Sequence, residues 1–376
     1  MRGAFWLRVL ADIMDWTDEQ AQVEYGWINL MALYKYDSYR DYQAGMRFVE
    51  SLCNWLQQFE VTERQFAYEF IKHNLIYIGT PEMERMVKQF FYKFVYKKLL
   101  EVTASKLCVP SYTILTNITA KRYLEILHRR TLFMGLSDGA KLDVLRRANI
   151  GRISNEQVVI ATQIDKFKWK SLFKDLKKDL TRLEAEEKDK QFCIVYLIDD
   201  FMGTGLSFLR KDHDRWTGKL IKFLDSIHDS ETRKIFSNDL EICAHHFIGT
   251  KKSKYDTTNR YNEVKEQLKD KYGNINISFS YSMIFPDANK ISDNTEEGKN
   301  FLKLCRKYYN PNIESEHTGV GGGAIEYGFG GCALPLVLEH NCPNNSVPLL
   351  WAEIEKDERN NFQEMRPLFR RRQRHS

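Results

Sequence analysis

The spacing of apolar positions changes part-way along this chain. Over residues 41 to 59, Met46, Phe48, Val49, Leu52, Trp55 and Leu56 recur three and four apart, the period of a helix with one buried face. Thr62-Glu63-Arg64-Gln65 has the pattern of a capping box and predicts a helix continuing through Phe66, Phe70 and Ile71. Thr80-Pro81 predicts another start, since proline at the first helical position gives up no hydrogen bond; that helix carries Phe90, Phe91, Phe94, Val95 and Leu99. The density of Trp, Tyr and Phe predicts the aromatic core of a helical bundle, with a base-stacking surface as the other use of such residues.

From about residue 131 short apolar runs alternate with helical stretches. The runs are Thr131–Gly135, Gln157–Thr162, Phe192–Asp199, Leu240–Ile248 and Ile275–Phe285. The helices fall near Ala140–Asn149, Lys168–Glu186, Phe208–Ile227, Asn259–Lys271 and Glu296–Tyr309. Such alternation predicts an α/β fold, a parallel sheet flanked by helices, with ligands bound beyond the carboxyl ends of the strands. The division expected is a helical region over 1–130 and an α/β domain over 131–376.

Composition narrows the classes. A chain of 376 residues, 43% hydrophobic and 28% charged, can bury a core without metals or disulfides. The net charge of +5 is too small to argue for nucleic acid. Seven scattered cysteines, none in a CxxC pair, support neither a zinc site nor a disulfide framework, and a reduced cytoplasm is the expected compartment. Arg8 and Asp12 interrupt the N-terminal apolar stretch, and no run reaches the roughly 18 residues of a membrane span, so a soluble protein is expected.

Candidate chemistry concentrates in FCIVYLIDDFMGTGLS, residues 192 to 207. An apolar β-branched run leads into Asp199 and Asp200, then Gly203-Thr204-Gly205, Leu206 and Ser207. Glycines let the backbone take positive φ and approach a ligand, successive amides form a concave anion nest, and the Thr204 and Ser207 hydroxyls can donate to phosphate oxygens. A helix following the loop would add its positive end. The two carboxylates suit ribose hydroxyls, or an Mg²⁺ ion held in part through water. A tight strand-to-helix turn capped by Asp is the plainer reading.

This pattern resembles the 5-phosphoribosyl-1-pyrophosphate (PRPP) loop of type I phosphoribosyltransferases: apolar strand, Asp-Asp, two apolar residues, a small residue, Thr-Gly, any residue, Thr or Ser. The resemblance implies the 5-phosphate on Gly203, Thr204, Gly205, Leu206 and Ser207, and catalytic carboxylates at Asp199 and Asp200, which are also the Mg²⁺ candidates. It further implies that the loop after the first strand, Gly135-Leu136-Ser137-Asp138-Gly139, holds pyrophosphate through its backbone. Arg146, Arg147 and Arg152 follow and either face pyrophosphate or are solvated. His245-His246 lies in a strand, where neighbours point to opposite faces and cannot share one ion, so structural histidines are expected.

The C-terminal third adds a glycine-rich segment, HTGVGGGAIEYGFGGC (317–332), which either approaches a ligand or packs as a loop over the sheet. Two apolar runs then flank Asn341–Ser346, predicting a hairpin turn. The block GGCALPLVLEHNCPNNSVPLLW resembles the C-terminal motif of a divergent phosphoribosyltransferase-like family of bacterial conflict and anti-phage operons, whose core also follows a helical region. That resemblance implies an effector that binds PRPP or a nucleotide with Mg²⁺ and transfers or removes a phosphoribosyl group, restrained by a protein partner from the same operon. A non-catalytic PRPP or nucleotide sensor, or a partner-docking subunit, stays open beside it. The basic tail from Arg366 to Ser376 either touches nucleic acid or an acidic partner, or is a solvated end.

Overall fold

The computed structural model describes residues 2–40, 48–160, 164–314, 320–322, 324–356 and 362–371. The expected helical stretch at 41–47, the end of the strand expected to reach Thr162, residues 315–319 and 323 of the glycine-rich segment, and the last five residues of the tail lie outside these. In chain order the helices are α1 (Arg2–Met14), α2 (Asp18–Tyr34), α3 (Phe48–Leu56), α4 (Val61–Asn74), α5 (Thr80–Phe90), α6 (Lys97–Leu107), α7 (Ile118–Arg129), α8 (Leu142–Ala148), α9 (Lys166–Arg182), α10 (Lys219–Ser226), α11 (Lys251–Tyr272) and α12 (Glu296–Lys307). The strands are β1 (Ile76–Ile78), β2 (Thr131–Gly135), β3 (Val158–Ile160), β4 (Phe192–Met202), β5 (Arg210–Asp212), β6 (Arg215–Thr217), β7 (Phe236–Thr250), β8 (Ile275–Phe285) and β9 (Leu336–Leu338). No helix among the described residues is long and apolar enough to cross a membrane.

The chain forms two compact units, and their limits differ from a boundary at 130/131: one comprises Met1–Glu82 with Pro286–Ser376, the other Met83–Phe285. The first unit is a discontinuous helical core. Its α4 and α12 are joined by the stacked rings of Phe70 and Phe301, 3.6 Å between centroids, and β1 pairs in parallel with β9. Trp55 donates from its buried indole to the Leu349 carbonyl. Residues 1–82 therefore bury their apolar faces against the C-terminal segment. α4 starts at Val61 without a side-chain cap, where a capping box was expected. Instead Glu60 N–H donates to the Tyr308 hydroxyl and Lys307 pairs with Glu60 and Glu63, so α12 sets this helix start.

The expected hairpin around 341–346 does not form. The run before it becomes β9, and the run after it makes a 3-10 turn at Pro348–Leu350, where prolines at 343 and 348 supply no ladder N–H. The tail is anchored as far as Arg371's neighbours: Leu368 and Phe369 are buried, and both amides donate to the Leu350 carbonyl. In the glycine-rich segment, a Cβ on Gly328 (φ 81°) would lie 2.2 Å from the Asn345 carbonyl oxygen, so this glycine serves the chain's own packing.

The second unit is a five-stranded parallel sheet, order β3-β2-β4-β7-β8, with helices on both faces. Alternation along the strands sorts the residues: Leu132, Met134, Val195, Leu197, Ile242 and Ala244 share a core with α9, α10 and α11. Phe133, Tyr196 and Phe247 turn the other way onto Phe90 of α5. α5 passes through a π-turn (Phe91–Tyr96) into α6, and Phe90, Phe91, Val95 and Leu99 are buried as core, while Phe94 is partly buried and Tyr92 is exposed. These contacts are why α5 to α7 belong with the sheet.

Two elements depart from expectation. α11 begins at Lys251, well before Asn259, because Thr250 and Ser253 form a capping box ahead of a polar first turn. Phe208–Ile227 is not one helix: a β5–β6 hairpin precedes α10. His213 takes φ 51° at the hairpin tip, and Gly218 takes φ 119° where a Cβ would meet the Phe208 carbonyl oxygen at 2.4 Å.

Phe301→Ala should remove the ring stacked on Phe70 and destabilise the first unit by about 3–5 kcal/mol. Denaturant unfolding followed by tryptophan fluorescence reads this directly, since Trp55 sits in that core.

Candidate functional site

With strand order β3-β2-β4, the connection leaving β2 departs to one side and β4 continues the sheet on the other. The carboxyl ends of β2 and β4 therefore flank the crevice where open α/β sheets bind ligands. The β2–β4 register runs to Gly135↔Ile198 and is extended by Leu136 N–H to the Ile198 carbonyl at 2.8 Å. This clamps the Gly135–Gly139 loop beside the acids. A Cβ on Gly135 would sit 2.9 Å from a Leu142 methyl, so glycine here lets α8 close on the strand.

β4 carries Asp199 and Asp200, three and two residues before its end at Met202. Asp199 is 3% exposed and is paired in register with His246 of β7. Ser137 donates its hydroxyl to one Asp199 oxygen, and the Lys219 ammonium pairs with the other. Burial raises the Asp199 carboxyl above its ordinary value, Lys219 opposes this, and the Asp200 charge adds to it. Asp200 is half-buried, and its N–H donates to Asp199 Oδ1 at 3.2 Å.

The Gly203–Ser207 loop has every carbonyl engaged. Gly203 O accepts from Thr250 Oγ1 (2.6 Å), Thr204 O from Arg260 Nη2 (2.6 Å), and Gly205 O from Phe208 and Leu209 N–H. Leu206 O accepts from Arg210, and Ser207 O from Lys219 N–H. The amides of Thr204, Gly205 and Ser207 meet no acceptor among the described residues, nor do those of Ser137, Asp138 and Gly139. Two short loops, one on each strand end, thus leave backbone N–H groups without protein acceptors close to the Asp199–Ser137 contact. That is the arrangement of an anion-binding nest. Gly205 has φ 73°, and a Cβ on it would fall 2.0 Å from Thr257 Oγ1.

No helix starts directly after this loop. The Ser207 and Phe208 carbonyls accept from Lys219 and Leu220 amides, twelve residues on, as a helix would from residues four on. The hairpin is thus spliced into a helical turn, and the splice delivers Lys219 to Asp199. Sequence reasoning missed Ser137's bond to Asp199, Lys219, and the α11 residues Thr257 and Arg260; the Gly218-Lys219 step and the Thr250-x-x-Ser253 cap were the available signals.

The three arginines are engaged locally: Arg146 with Asn155, Arg147 with Asp143, and Arg152 over the Tyr92 ring. His245 bonds Ser280 and Ser282 through its two nitrogens and is structural. His246 differs. It lies on the opposite face, Phe208 edge-on at 5.5 Å and Tyr281 at 6.0 Å, and its buried Nδ1 has no partner among the described residues. Both carboxylates are engaged by protein groups, Asp199 by Ser137 and Lys219 and Asp200 by the same Ser137 hydroxyl at 3.5 Å. No group of three or more His, Cys, Asp or Glu side chains able to hold a metal occurs among the described residues.

A five-stranded parallel sheet with these two loops at its switch point defines a phosphoribosyltransferase-like protein. The chain belongs to the PRTase-CE family, whose model matches residues 52–371. Comparison with curated proteins and with solved structures gives no match.

Gly205→Val should force Thr257 aside at a backbone conformation that L side chains resist, costing about 1–3 kcal/mol and abolishing anion binding at the loop. Thermal melts and phosphate titration read the two effects separately. Burial lowers His246 to about 3, Lys219 acting in the same sense and Asp200 opposing. A histidine kept neutral when folded contributes stability above its ordinary value of 6.5 that is lost as pH falls towards 3. His246→Phe should therefore make the fall in Tm between about pH 6.5 and 4 shallower than in the parent.

Proposed function

We propose that this chain binds PRPP, or a nucleotide 5′-phosphate, and transfers or removes a phosphoribosyl group as an effector of a bacterial anti-phage system. The observation that carries the reading is the two sets of amides without protein acceptors, at Ser137, Asp138 and Gly139 and at Thr204, Gly205 and Ser207, near a buried Asp199. The spacing of a sugar with a phosphate at one end and pyrophosphate at the other calls for two anion sites flanking a carboxylate. The resemblance of residues 330–351 to conflict-system proteins supports the biological setting.

In this mechanism the Gly203–Ser207 loop holds the 5-phosphate and the Ser137–Gly139 amides hold the pyrophosphate. As the bond from the anomeric carbon to pyrophosphate breaks, its electron pair leaves with pyrophosphate and positive charge develops on the ribose. Asp199 and Asp200 stabilise that charge, as carboxylates do for oxocarbenium-like transition states. Ser137 and Lys219 fix the Asp199 carboxylate, so it needs no reorganisation when charge appears. If Mg²⁺ takes part, the Asp199–Asp200 pair would be the side chains to hold it, and it would supply neutralisation of pyrophosphate charge. The nucleophile, a nucleobase nitrogen or water, forms its bond to the anomeric carbon on the face opposite the departing pyrophosphate and gives up its proton to pyrophosphate or solvent.

A second reading, a PRPP or nucleotide sensor without turnover, is favoured by the engagement of both Asp199 oxygens. A protein partner has an apolar face to dock on: Val23, Leu30, Leu33 and Tyr34 of α2 are exposed.

Asp199→Asn and Asp200→Asn should each lower turnover by about 10²–10³ while changing PRPP affinity only a few-fold. Pyrophosphate release and calorimetry with PRPP, with and without Mg²⁺, measure the two quantities. Binding without pyrophosphate release selects the sensor reading; no heat with PRPP, nucleoside monophosphates or triphosphates overturns both. In the native operon, equal phage protection by parent and Asp200→Asn would detach the site from defence.

A further inference from the structure

α9 has a sharply divided surface. Trp169, Leu172, Leu176 and Leu180 are buried against the sheet. Its seventeen residues also hold seven cations, Lys166, Lys168, Lys170, Lys174, Lys177, Lys178 and Arg182, against two aspartates, a surplus equal to the +5 of the whole chain. The rest of the protein is thus electrically balanced, and its net charge resides on one helix.

At 3.6 residues per turn, Lys166, Lys170, Lys174, Lys177 and Lys178 fall within one arc of about 120°, opposite the buried leucines. Successive steps of four place ammonium groups about 6 Å apart over about 18 Å, close to the separation of successive phosphates on an extended strand. All five lysines are exposed, and Phe167, 81% exposed, lies on the same arc. Internal neutralisation is slight among the described residues: Lys170 pairs with Glu231 at 3.2 Å, and Arg182 with Asp179 at 3.6 Å.

We infer that the exposed face of α9 is a docking ridge for a nucleic-acid strand, gripped through its phosphates without reading sequence. Lysines act as point charges on phosphates, and an exposed aromatic ring offers a base a stacking platform. A membrane surface fits less well, because the apolar side of this helix is already buried in the protein core. A protein partner would need apolar anchors at the centre of the face, and Phe167 lies at its end. α9 follows β3 and so begins at the end of the sheet where Ser137 and Asp199 lie; a strand on the ridge would run towards that end. The inference stands independently of the phosphoribosyl reading.

The test is fluorescence anisotropy of the full chain with a labelled 20-nucleotide mixed-sequence RNA and its DNA counterpart, over a range of salt. Binding is expected, with log affinity falling by about 0.7 for each phosphate contact per tenfold rise in salt. K170E/K174E/K178E should weaken it at least tenfold and flatten the salt slope. K254E/K265E/K269E on exposed positions of α11, which lowers net charge equally, should bind as the parent does. F167S should weaken single strands more than duplex. Circular dichroism checks that each variant is folded. No binding at low salt, equal loss in both triple variants, or capture by phosphatidylserine vesicles but not by oligonucleotides would overturn the inference.

Discussion

One buried carboxylate organises the sheet unit. Asp199 sits where a parallel strand meets its switch point, 3% exposed, and burial by itself would drive it neutral. Ser137 from one loop and Lys219 from an inserted turn oppose that tendency, and each can do so only if its own segment is in place. The β2–β4 ladder has to reach Ile198 for Ser137 to arrive, and the hairpin has to return to Phe208 for Lys219 to arrive. A charge that needs two distant segments makes the geometry of both loops interdependent. The cost is paid in the core, where a half-satisfied carboxylate would be strongly unfavourable.

The same logic governs the loop after β4. Turning a run of carbonyls inward requires donors behind it, and Thr250, Arg260, Arg210 and three backbone amides supply them. α11 is therefore more than a crossover helix: its capped first turn and Thr257 form the back wall on which the loop is mounted. This explains why a long, polar helix with few buried residues keeps a precise start.

What was legible in the sequence was local. Thr131–Gly135 and Ile275–Phe285 read as strands over their observed bounds because apolar runs and turn residues delimit them within a few positions. The Asp-Asp and Gly-Thr-Gly motif was visible for the same reason. What was not legible depends on partners far along the chain. The pairing of Ile76 with Leu336 makes the first unit discontinuous, and no local period announces it. The β5–β6 hairpin was hidden because Phe208, Trp216, Leu220 and Ile221 lie at helix-compatible intervals while Gly218 alone marks the break. Lys219 became a site residue only through that break. His246 read as structural because alternation separates it from His245, yet the same alternation aligns it with Asp199.

The spliced helical turn has a meaning beyond the site. Because Ser207 and Phe208 hand their hydrogen bonds to Lys219 and Leu220, the intervening hairpin is topologically a loop on a closed base, like a bead threaded on a clasp. Chain can be added or removed between Asp212 and Arg215 without the helix registering a change in its own ladder. An engineer wishing to fuse a reporter to the molecule has a natural socket at that tip.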